Sequence, residues 1–220
     1  MCSKSAALLM LVMLTTSVSA SPASQEALDA WFNGNGAANV NEGSLVFLDK
    51  APARPVHHHQ NRIHIRPQSL RDGWTRLEQC HDHLDAVPAA QITYREGHIR
   101  NLKVTGVRNI KRAWIEGASV QLSGVAYGAR LCISAETRAL SPSGNGFYVL
   151  NNGPYMRKFL DGYYPMQVSL HITYPDTILR VIDISPTPQP GLTVSQHKRH
   201  IRIHGWFEGE LRTQVQFVRR

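Results

Sequence analysis

Histidine fills eleven of the 220 positions, and most of these residues gather in three short stretches: "HHHQNRIH" from His57, "CHDH" from Cys80 and "HKRHIRIH" from His197. An imidazole can ligate a metal, move a proton near neutral pH, or add charge to a basic patch. The first use needs several nitrogens converging on one point. Consecutive side chains of an extended segment point to opposite sides. His57, His58 and His59 therefore cannot all reach one ion from a single strand. His81 and His83, two positions apart, share a face in a regular strand and are the weak metal candidates. His200 and His204 also share a face, but at 3.3 Å per residue they stand about 13 Å apart. No spacing matches a structural zinc pattern. The expectation is no metal site and no cofactor, with the first histidines lying ahead of strand pairing.

Another use of these residues is electrostatic. In "RIHIR", Ile63 and Ile65 fall on one face and Arg62, His64 and Arg66 on the other. In "HIRIHGW", Ile201 and Ile203 oppose His200, Arg202 and His204. If the two strands share a sheet with these faces together, they form a patch for phosphate or carboxylate groups. Arginine supplies bidentate contacts, and histidine adds charge as it protonates below about pH 6.5.

Nucleophilic chemistry has little support. The G-x-S-x-G turn of serine hydrolases is absent, "GASVQ" being the nearest stretch, and no phosphate-cradling or dinucleotide loop occurs. Paired carboxylates remain open, because such pairs come from distant positions. Asp161 in "FLDGYYP" reads as a turn packed by Phe159, Tyr163 and Tyr164. A hydrolase with metal or carboxylate groups in loops is thus the alternative reading, and an assembly module using a sheet edge is another.

The chain has 24 Lys and Arg against 16 Asp and Glu, a formal net charge of +8. Between Arg54 and Arg112 eleven basic residues face five acids, whereas Ser21 to Ala53 holds one lysine and four acids. Such a balance favours anionic partners: an envelope glycan, a lipid headgroup or a membrane surface. Nucleic acid is not expected for an exported chain. Export is read from residues 1–20, where Lys4 precedes the apolar "AALLMLVML" and "VSA" ends at Ala20, a signal-peptide pattern. The mature protein is expected in the periplasm or outside the cell, with no transmembrane segment. Its two cysteines, Cys80 and Cys132, are then expected to form a disulfide.

These residues must be positioned by strands. Period-two alternation recurs in "VSLHITY" and "LRTQVQF" and, more weakly, in "IRNLKVT", "AWIEG", "SVQLSGV" and "ARLCISAETRAL". Turn formers separate them. The expected fold is an all-β antiparallel sandwich, immunoglobulin-like or jelly-roll-like, of about nine to eleven short strands. Residues 21–54 read as a flexible leader, and 55–220 as one domain. Residues 70–84 fit either a helix or, better, a strand through Trp74 to His81. No motif of a characterised family is present.

Overall fold

Alternating apolar residues pair into sheets almost throughout the computed structural model, which describes residues 41–220. The expected signal peptide and positions 21–40 of the expected leader lie outside the described residues. The strands are β1 (Val46–Phe47), β2 (His58–His64), β3 (Trp74–Leu84), β4 (Val87–Thr93), β5 (Ile99–Glu116), β6 (Ser119–Arg138), β7 (Leu140–Gly144) and β8 (Phe147–Tyr155). There follow β9 (Lys158–Phe159), β10 (Gly162–Tyr163), β11 (Met166–Thr173), β12 (Leu179–Ser185), β13 (Leu192–His197), β14 (His200–Glu208) and β15 (Leu211–Arg219). One helical turn, α1 (Ser69–Asp72), precedes β3 and is closed by Gly73 in the left-handed region, φ 77°.

The large sheet runs β1-β14-β11-β2-β3-β6-β4, with β13 also on β14 and β5 also on β6. The second sheet runs β12-β15-β8-β7. Their inner faces share one core. Ile63, Leu131, Ile133, Val168, Ile172, Ile201 and Ile203 of the large sheet and Leu150, Leu211, Val215 and Phe217 of the second are each at most 2 % exposed. Burying each such side chain is worth roughly 1.5–3 kcal/mol. Tyr174, just past β11, sets its ring 5.2 Å from that of Phe217. The fold is the expected all-β sandwich, antiparallel but for one pair: β2 runs parallel to β11, with Ile63 opposite Ile172.

Several expectations need correcting. The folded region begins ahead of Val56, because Val46 and Phe47 pair with Glu208 and Phe207 and the Leu48 N–H donates to the Trp206 carbonyl at 2.9 Å. Two paired residues are too few to show alternation. The strands number fifteen among the described residues, and two are long. "IRNLKVT" and "AWIEG" are parts of β5, and "SVQLSGV" and "ARLCISAETRAL" are parts of β6. Register slips at Arg100/Lys103, Val104/Gly106 and Arg108/Ile110 break the alternation of β5 while pairing continues. The ambiguous stretch is a strand from Trp74 to Leu84, as preferred, after its single helical turn. Pairing of β2 begins at His58, so His58 and His59 lie inside the sheet, opposite Asp82 and His81. Cys80 and Cys132 face each other across β3 and β6, their Cα atoms 4.1 Å apart, and their sulfurs are bonded.

Candidate functional site

The sites occupy the two faces of the large sheet. On the outer face, β11 lies between β14 and β2. Its register sets His171 opposite Arg202 on one side and opposite Arg62 on the other. One step along, Thr173 stands between His200 and His64. In the other direction, Ser169 stands beside His204, whose Nδ1 is 3.0 Å from the Ser169 hydroxyl, and the same hydroxyl meets His58 Nε2 at 2.8 Å. Five of the six residues expected to form a basic face are therefore adjacent in space, and His58 and His171 join them. A shallow depression of about 400 Å³ is lined by Arg62, His64, Arg76, His171 and Thr173, with one carboxylate, Glu78. A second of about 240 Å³ is lined by Arg62, His171, Arg202 and His204.

Arg66 is the sixth and differs. It lies past the end of β2, and its guanidinium donates to Glu136 at 2.5 Å, a carboxylate that Arg100 also holds at 2.9 Å. Two other outer-face carboxylates near the patch are engaged too: Glu78 with Arg76 at 3.1 Å and Asp82 with Arg130 at 2.5 Å. Among the described residues, no carboxylate comes within ion-pair distance of Arg62 or Arg202. Between them, the Nε2 of His171 is buried and has no hydrogen-bond partner. Burial lowers the His171 pKa, and Arg202, His200 and Arg62 push it the same way. The ring is neutral, beside two unpaired cations.

The inner face carries a second constellation, which reasoning along one strand missed. His57, just ahead of β2, and His59 and Asn61 of β2 turn inward, as do Gln79 and His81 of β3. Register places His59 directly opposite His81. Ring nitrogens of His57, His59 and His81, one from each, lie within 4.8 Å of one another. His57 Nε2 is 3.0 Å from His81 Nδ1, and the other nitrogen of His81 is buried without a partner. His59 Nε2 lies 3.0 Å from Asn61 Oδ1 and 2.7 Å from the Gln79 amide. Asn61 donates to the Tyr155 hydroxyl of β8 at 3.0 Å, and the Tyr94 hydroxyl donates to Gln79. His59, Asn61, Gln79, Tyr94 and Tyr155 border a cavity of about 630 Å³ that lies between the sheets and also carries Asn152, whose amide nitrogen is unpartnered.

Burial drives the pKa of His57 down to about 4 and that of His59 to about 3, and it holds His81 well below the usual imidazole value. All three rings are thus unprotonated at neutral pH, the form that binds metal. The weak metal candidates from spacing, His81 and His83, do not share a face. The register slips between Asp82 and Leu84, and His83 takes the left-handed region at φ 54°. It is exposed beside Gln167 and Trp206 of the outer face, while His81 is buried within. The signal available in the sequence was the i, i+2 pair His57 and His59. The third ring came from a neighbour that only pairing could identify.

The "FLDGYYP" stretch is a small hairpin, β9 with β10. Arg157 lies 5.3 Å over the Phe159 ring and 5.5 Å from that of Tyr164, and it pairs with Asp85 at 2.6 Å. Among the described residues no helix is long and apolar enough to cross a membrane. Compared with known proteins, the chain matches no family model, no curated relative and no solved structure.

Proposed function

We propose that this chain is an exported, non-enzymatic envelope protein that holds an anionic component on the outer face of its large sheet. The component is recognised by its phosphate or carboxylate groups, as carried by an envelope glycan or a lipid headgroup. One observation carries the reading. Two arginines without carboxylate partners, Arg62 and Arg202, flank a neutral histidine whose buried nitrogen lacks a partner. Their Cα atoms are two strand spacings apart, about 10 Å, which two arginine side chains can span from either side of one oxyanion. An anion there would accept charge-assisted hydrogen bonds from both guanidiniums and give the His171 nitrogen a partner once protonated. Export is supported by the leader pattern of residues 1–20 and by the Cys80–Cys132 disulfide.

The test uses phosphocellulose as the phosphate-bearing matrix and phosphatidylglycerol vesicles as the lipid arm. The wild-type chain is retained, and retention falls steeply with salt because screening acts over about 10 Å at 0.1 M. Arg62→Ala with Arg202→Ala weakens binding at least about tenfold, since each charged hydrogen bond is worth roughly 1.5–3 kcal/mol. Arg66→Ala has a smaller effect because Glu136 already holds that side chain. Retention of the Arg62/Arg202 double variant equal to wild type in both arms would reject the reading.

A further inference from the structure

We infer that His57, His59 and His81 form a binding site for one divalent first-row transition ion of the zinc type, on the opposite face of the sheet from the anion patch. Imidazole nitrogen suits such ions, and three histidines with one open position make a well-known zinc arrangement.

The geometry is close to that of a loaded site. Bonds of 2.0–2.1 Å in a tetrahedron place ligand nitrogens about 3.4 Å apart. The His57 and His81 nitrogens are 3.0 Å apart, and all three ligand atoms fall within 4.8 Å. Small ring rotations bring them to bonding distance. Two neutral imidazoles facing each other nitrogen to nitrogen must share a proton, and a cation can take its place. His81 is 4 % exposed and keeps a buried, unpartnered nitrogen.

The groups around His59 include a second layer for a metal ligand. Nε2 of His59 can either donate to Asn61 or accept from Gln79. A cation on Nδ1 requires the first, so Asn61 orients the ring as a supporting partner does in known metal sites, and the Gln79 amide, 2.7 Å away and also a donor, must turn aside. Asn61 is fixed in turn by Tyr155 from the second sheet. His59 borders the 630 Å³ cavity, which gives water or a small anion a route to the open position.

The test uses the full mature chain, stripped with a chelator and titrated with Zn2+ by calorimetry, with Co2+ as the spectroscopic probe. One ion binds per chain at sub-micromolar affinity. Bound Co2+ gives the intense visible bands of a four-coordinate site. His57→Ala and His59→Gln each weaken binding at least about a hundredfold, whereas His64→Ala and His200→Ala on the outer face leave it unchanged. Zinc-edge X-ray absorption on the wild-type chain finds three imidazole nitrogens at about 2.0 Å, which requires no variant to fold. The inference falls if the zinc shell holds fewer than three imidazoles. It also falls if binding survives His57→Ala and disappears with His64→Ala or His200→Ala, which would assign the ion to the outer histidines.

Discussion

At the scale of single residues, His171 is the outer-face group whose chemistry is most constrained. It is packed between Arg202 and His200 of β14 and Arg62 and His64 of β2, with Glu78 one strand beyond Arg62. Burial first, and then the neighbouring cations, lower its pKa in the free protein. A bound anion reverses the second effect, so the pKa rises on binding and the complex takes up a proton. Linkage then requires affinity to increase as pH falls from 7.5 to 5.5 and to weaken as it rises. Phosphocellulose retention measured across that range shows this trend. His171→Gln, which keeps a polar side chain but cannot charge, flattens it. An equally steep trend in the variant would assign the proton to another histidine.

At the scale of elements, β14 is, like β6, shared among three partner strands. It pairs with β11 on one edge and with both β1 and β13 on the other. The crowding shows at Gly205, where an added Cβ would stand 2.5 Å from the Gly191 carbonyl oxygen and 3.1 Å from a Leu192 methyl. Backbone cannot yield as a side chain does, so Gly205→Ala should cost roughly 1–3 kcal/mol, as overpacking does. Urea unfolding measures it. Gly106→Ala in β5 is the control, since the Cβ there meets only Cys132 Cβ at an ordinary 3.7 Å. The same element view weighs against the assembly alternative. β5 is an outer strand, but three register slips twist it, and Arg100, Lys103, Arg108, Lys111 and Arg112 line it. Bulges and basic residues are what keep an edge from pairing with another chain.

For the whole molecule, the disulfide is the long-range constraint beyond packing. It joins residues 52 apart in sequence and fastens β3, which carries His81, to β6. In the chain-entropy account a closed loop of that length stabilises by about 4 kcal/mol. Cys80→Ala with Cys132→Ala should therefore lower the melting temperature by about 10 °C, at a few degrees per kcal/mol for a protein this size. Scanning calorimetry checks this. A shift under about 2 °C would mean that the sheet already constrains this loop in the unfolded ensemble.

The sequence by itself determined the local features. Alternation in "RIHIR", "VSLHITY" and "HIRIHGW" assigned inward and outward residues, because a strand's side chains alternate whatever its neighbours are. It also determined the all-β class, the charge and the single cysteine pair expected after leader removal. Only the tertiary structure decided which strands are neighbours. Pairing to β11 brought Arg62 and Arg202 to either side of His171, a residue with no distinguishing sequence signal. It also set His81 across from His59, a neighbour that an argument confined to one strand could not supply. The bulge that throws His83 outward, the two-residue β1 and the fused β5 and β6 were likewise hidden. Register and slips depend on contacts between residues far apart in the chain, and no periodicity within one segment encodes them.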